Sequence, residues 1–162
     1  MTGTPLAAAW ALVRAGDSEA AVAVIESAGA DIIAAGSAAD LLALIEQLPP
    51  AERHRYGVAL NRADALRTIG EPLAAAAAFD ALDSPTDEKG PPETALAWRR
   101  GMLHYMQGEY ARAEAICRQS ETSHPARGTV LDLVLTEVCR ASALVALGRA
   151  SWRSPRPASI AA

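Results

Sequence analysis

The chain has 162 residues, enough for one compact domain or a short run of repeats. Hydrophobic residues make up 51% of it and aromatics only 4%, so alanine and aliphatic side chains must build the core, which favours closely packed helices over strands. A formal net charge of −4 offers no cationic field to a phosphate backbone, which argues against direct nucleic-acid binding, and no run of about 18 apolar residues is present to span a membrane.

In chain order, Pro5 can start a helix that carries Leu6, Trp10 and Val13 up to Gly16. Asp17 or Ser18 then caps a second helix toward Gly29, and a short helical piece over Asp31 to Ala35 stops at Gly36. Ser37 caps a further helix that ends at "LPP". A long helix runs from Ala51 to Ile69 and stops at Gly70, after which Pro72 opens "LAAAAAFDAL". The breaker-rich segment Asp83 to Pro92 reads as an exposed loop. Helices are then predicted over Glu93 to Met106, Glu109 to Ser120 and Thr129 to Leu147, with "SHPARG" before the last. From Ser151 to Ala162 the prolines at 155 and 157 forbid a continuing helix, and this stretch is assigned as a mobile tail behind a repeat domain over residues 1–150.

Glycines close helices at 16, 36, 70, 108 and 148, at intervals of 20, 34, 38 and 40 residues. Periods near 34 to 40 signal stacked helical pairs. Around Gly108 the sequence carries Gly101, "GEY" at the turn, Ala113 and Pro125, and in that register it resembles a tetratricopeptide repeat (TPR). The positions have physical roles: Gly101 and Ala113 allow close helix crossing, Tyr110 packs over the turn and Pro125 stops the second helix. The same register places Ala63, Ala75 and Phe79 around Gly70, and Ala9, Ala21 and Ile25 around Gly16. Around Gly148 it supplies Ala141 and Leu144, but no partner helix follows. The expected fold is all-α, a TPR-like solenoid of stacked antiparallel helix hairpins with an unfinished last repeat.

A narrower likeness covers roughly Pro5 to Gly148. The succession of Ala15 to Asp17, the stop at Gly36, the "LLALIEQLP" helix from Leu41 to Pro49 and the stop at Gly70 resembles the helical-repeat region of MalT-like, LuxR-family ATP-dependent transcriptional regulators. The resemblance implies a sensor and interaction segment that receives an effector or partner protein and influences ATP-driven self-assembly. The phosphate loop and DNA-reading helix of such regulators are not recognisable in this sequence.

No motif for catalysis, for a cofactor or for metal binding is visible. His54, His104 and His124 have no His, Cys or carboxylate at metal-ligand spacing, and no G-x-S-x-G elbow or Cys/His signature occurs. Cys117 and Cys139 lie among apolar neighbours in helical patterns, the usual setting of buried free thiols. The residues expected to line a concave face are the polar trio Asn61, Asp64 and Arg67 and the aromatic strip Trp98, Met102 and Tyr105. Together they describe a ligand or partner groove.

The expectation is therefore a non-enzymatic effector-sensing or protein-interaction segment, with a stand-alone TPR adaptor as the alternative. Its partners would be a protein or a small-molecule effector, with no nucleic acid and no membrane. The apolar helix from Val130 to Leu147 is left without its usual cover and is expected to be covered by the tail, by a second copy of the chain in a homo-oligomer or by another chain. The N-terminal residues lack the features of a signal peptide, and a reducing, cytoplasmic setting is expected.

Overall fold

The computed structural model describes residues 4–82, 93–123 and 129–149. The loop expected over Asp83 to Pro92, the stop at Pro125 and the tail from Ser151 to Ala162 lie outside these residues. Among the described residues the chain is all-helical, without strands. Six helices fall in a first compact unit, Met1–Pro91: α1 (Pro5–Arg14), α2 (Ser18–Ala34), α3 (Ala38–Ile45), α4 (Pro50–Arg53), α5 (Tyr56–Thr68) and α6 (Pro72–Ala81). Three more fall in a second, Pro92–Ala162: α7 (Glu93–Met106), α8 (Tyr110–Ser123) and α9 (Val130–Ala146).

The helix ends follow from backbone chemistry. Gly16, Gly36, Gly70, Gly108 and Gly148 all have positive φ, between 67° and 86°, a region that glycine enters without a Cβ penalty. Each closes its helix with the same pair of bonds. At the first, Gly16 N–H donates to Val13 O at 3.1 Å and Asp17 N–H to Leu12 O at 3.0 Å. These are the two bonds of a Schellman ending, and they satisfy carbonyls the helix would otherwise leave open. Starts are equally local: Thr4 and Asp17 accept from Ala7 N and Ala20 N, and prolines open α1, α4 and α6.

In the first unit α1 packs on α2, both α2 and α3 pack on α5, and α5 pairs with α6. The core gathers Val22, Ile25, Leu41, Leu44, Ile45 and Val58, with Trp10 and Leu6 at its edge. On α2 the buried positions 21, 22, 25, 29 and 32 recur at helical spacing, so one stripe serves the core. In the second unit α7, α8 and α9 all pack against one another around Leu103, Ala113, Cys117, Cys139 and Ala143.

Besides shifts of a few residues at the ends of α3 and α8, two departures from the sequence-based expectation change the order of the helices. Helix α2 is continuous through Gly29, where the sequence suggested an ending. The glycine is there for space: a Cβ would overlap the carboxamide of Asn61 on α5. The contact is reciprocal, since a Cβ at Gly57 of α5 would stand 2.7 Å from Cγ of Glu26 on α2. The second difference is that the helix expected over Ala51 to Ile69 is interrupted between α4 and α5, where Arg55 is extended at φ −60°, ψ 135°. Arginines on either side of His54 are anchored to different elements. Arg53 Nε donates to Leu48 O at 2.6 Å, and Arg55 Nη1 reaches Glu19 Oε1 on α2 at 2.7 Å.

Candidate functional site

The polar trio lies on α5, within the first unit. Asn61 is committed to helix packing: its Nδ2 donates to Gly57 O at 2.8 Å and to Ile25 O of α2 at 3.2 Å. Asp64 and Arg67 are brought together, with Arg67 Nη2 at 3.3 Å from Asp64 Oδ1, and the aspartate is buried. The aromatic strip lies on α7, within the second unit. Trp98 Nε1 donates to Asp132 Oδ1 at 3.0 Å, and the Arg99 guanidinium sits 4.4 Å from the Trp98 ring centroid. Tyr105 packs on Tyr110 across the Gly108 turn with ring centroids 5.2 Å apart, while Met102 is half-buried. Within these units Asn61 ties α5 to α2 and Trp98 ties α7 to α9.

Asp132, outside the expected groove, is the partner of Trp98. Its carboxylate accepts from the Thr129 backbone N–H at 3.3 Å while its own N–H donates to Thr129 Oγ1 at 3.1 Å, the two bonds of a capping box at the start of α9, and the Thr129 hydroxyl also donates to the carboxylate at 2.6 Å. Arg99 Nη1 approaches the same carboxylate at 3.5 Å. Burial pushes the Asp132 carboxyl up, but hydrogen bonds from Thr129 and Trp98 and the charge of Arg99 outweigh it, leaving the group below the usual carboxylate range. The local signal was present as "TVLD" ahead of an apolar run; the Trp98 contact, 34 residues away, had none.

The first unit also holds a cleft of 380 Å³ lined by Glu46, Arg53, His54, Arg62, Ala78 and Leu82, among others. Glu46 is shared by two cations, with Arg53 Nη1 at 2.9 Å and Arg62 Nε at 3.3 Å. The volume lies in the range of small-ligand sites. His104 has a carboxylate partner across the Gly108 turn: its Nδ1 is 2.8 Å from Glu109 Oε2.

Helix α9 has two unlike faces. Asp132, Thr136, Cys139 and Ala143 are buried, whereas Val130, Leu131, Val134, Val138 and Val145 are each at least half exposed. Ala141 belongs to the exposed side. In the glycine register this is the position of Ala9, Ala63 and Gly101, all of which are buried.

Among the described residues no group of three or more His, Cys, Asp or Glu is placed to hold a metal ion, and no helix is long and apolar enough to cross a membrane. Compared with protein-family models, curated proteins and solved structures, the chain has no significant match in any of the three.

Proposed function

We propose that this chain is a non-enzymatic, TPR-like repeat segment of a MalT-like, LuxR-family regulator, and that it works by protein association through the exposed face of α9. The observation that carries this reading is the inverted exposure of Ala141. In three helical pairs the small residue before the glycine is buried, as is the small residue after it: Ala9 with Ala21, Ala63 with Ala75, and Gly101 with Ala113. In α9 the same position lies open in the middle of a valine stripe. Large exposed apolar patches mark association surfaces.

The residues that follow do not supply the missing register. Arg153 and Pro157 stand where the other pairs have alanine at one position and Ile25, Phe79 or Cys117 at the other. The occupant is a second copy of the chain, packed α9 on α9 with the two Ala141 residues at the crossing. This arrangement restores small-on-small contact and covers a stripe from Val130 to Val145, about 22 Å of helix. The family resemblance, which implies a segment that influences ATP-driven self-assembly, is compatible with this arrangement.

Light scattering over a concentration series tests this. The wild-type chain should approach twice its monomer mass, and Val138→Asp with Val134→Asp should return it to monomer without loss of helicity. A wild type that stays monomeric throughout refutes the α9 reading. The regulator assignment is tested separately by the reading frame, which should encode a nucleotide-binding portion before this segment and a helix-turn-helix after it. A frame without them favours the stand-alone adaptor.

Effector sensing is a second reading, favoured by the 380 Å³ cleft with its two arginines. Small carboxylates and phosphates should raise the melting temperature of the wild type and not that of Arg62→Ala. No shift with any of them removes it.

A further inference from the structure

The two cysteines of this chain meet at one point. Cys117 on α8 and Cys139 on α9 are free thiols with no exposed surface. A Cβ built on Gly101 of α7 would lie 2.7 Å from the Cys117 sulfur and 3.0 Å from the Cys139 sulfur, so both occupy the space left by one missing side chain. The two side chains lie within reach of each other, and the interaction with Cys117 lowers the Cys139 pKa. Three helices therefore converge on a pair of sulfurs that both border the space where Gly101 lacks a side chain.

The register sharpens this. Cys117 stands nine residues after its turn glycine, where the first unit has Ile25 and Phe79, both fully buried. A smaller side chain at this position leaves room for a second sulfur. Glycine at 101 completes the space, where Ala9 and Ala63 occupy the matching positions.

We infer that Cys117 and Cys139 form a reversible redox pair whose oxidation by a peroxide links α8 to α9 through a disulfide. The Cys139 thiolate attacks one peroxide oxygen, the O–O bond breaks, and the departing oxygen leaves as water after protonation, giving a sulfenic acid. The Cys117 thiolate then attacks that sulfur; the S–O bond breaks and a second water leaves. Two thiols and one hydrogen peroxide thus become one disulfide and two waters, the sulfurs losing two electrons that the peroxide gains. The contact with Cys117 lowers the Cys139 pKa against the opposing effect of burial, which suits Cys139 to attack the peroxide first as thiolate and Cys117 to resolve the sulfenic acid. Because both sulfurs are buried, the reagent must be small or enter during local opening of the three-helix unit.

The test uses the full chain, treated with hydrogen peroxide, then denatured and labelled with a maleimide. Both thiols should disappear together, in a monomer lighter by the mass of two hydrogen atoms, and dithiothreitol should restore both. Cys117→Ser should stop at an oxygen adduct on Cys139, and Cys139→Ser should form no intramolecular product. Gly101→Ala, which forces the sulfurs to move, should lower the yield of the cross-link; if it fails to fold, the two serine variants still decide the matter. Oxygen adducts on the wild-type chain without the two-hydrogen loss, disulfides only between molecules, or two thiols that persist while the protein is held in mild denaturant would each overturn the inference. None of these outcomes depends on whether α9 mediates association, because the product is read within one chain.

Discussion

Replacing Gly29 by alanine sets two physical effects against each other. Glycine inside a helix is about 1 kcal/mol less favourable than alanine, so on propensity alone the variant should be more stable. The structure predicts the opposite sign. The new methyl group would overlap the Asn61 carboxamide, which is pinned by bonds to Gly57 O at 2.8 Å and Ile25 O at 3.2 Å. Displacing it forfeits two hydrogen bonds worth about 1 kcal/mol each, and the crowding of α2 against α5 adds roughly 1 kcal/mol. The net expectation is a loss of about 2 kcal/mol. In an Asn61→Ala background the obstruction is gone, and the same substitution should instead gain about 1 kcal/mol from propensity. A double-mutant cycle by urea titration and far-UV circular dichroism should therefore show a coupling of about 3 kcal/mol and a change of sign. If Gly29→Ala stabilises both backgrounds equally, the close approach of Asn61 is not what keeps a glycine there.

Phe79→Ala removes the largest fully buried side chain from α6 and should cost about 3–5 kcal/mol, read as a fall in the urea midpoint at unchanged slope; a loss below 1 kcal/mol would mean α6 is not packed as described. The Asp132 carboxyl is held below its ordinary value of about 3.9, so its contribution is present above that pH and is lost as pH falls through the folded-state value. Thermal melts of the wild type should therefore weaken in acid more steeply than those of Asp132→Asn, and parallel pH profiles for the two would contradict the assigned role.

The features legible in the sequence are those that depend on a few neighbouring residues. A glycine that must adopt positive φ, or a proline at a first turn, acts over four or five positions, and all five glycine turns lie at helix ends. The register around them is legible for the same reason, since Ala9, Ala21, Ile25, Ala63, Ala75 and Phe79 are all fully buried. Gly29 misled because a glycine serving as a stop and one serving as a contact look alike in sequence. The difference is set by Asn61, 32 positions away in sequence. At the interruption, the side-chain partner of Arg55 is Glu19, 36 residues earlier. The six groove residues share helical spacing, which groups side chains along one helix but does not say which neighbouring helix they meet. Asn61 and Trp98 turn out to hold helices together, and the Glu46, Arg53 and Arg62 cluster, assembled from three helical segments, had no linear signature.

The bond between the Trp98 indole and Asp132 has an optical consequence. An indole that donates to a carboxylate on the neighbouring helix, beneath a guanidinium, must change its emission when α9 leaves α7. Trp10 stands at the edge of the other unit's core. With Trp152, the third tryptophan, replaced by phenylalanine, the chain would carry one native fluorophore in each unit. Replacing Trp10 or Trp98 in turn would then report on each unit's unfolding without an added label, and reveal whether the two melt together or in sequence.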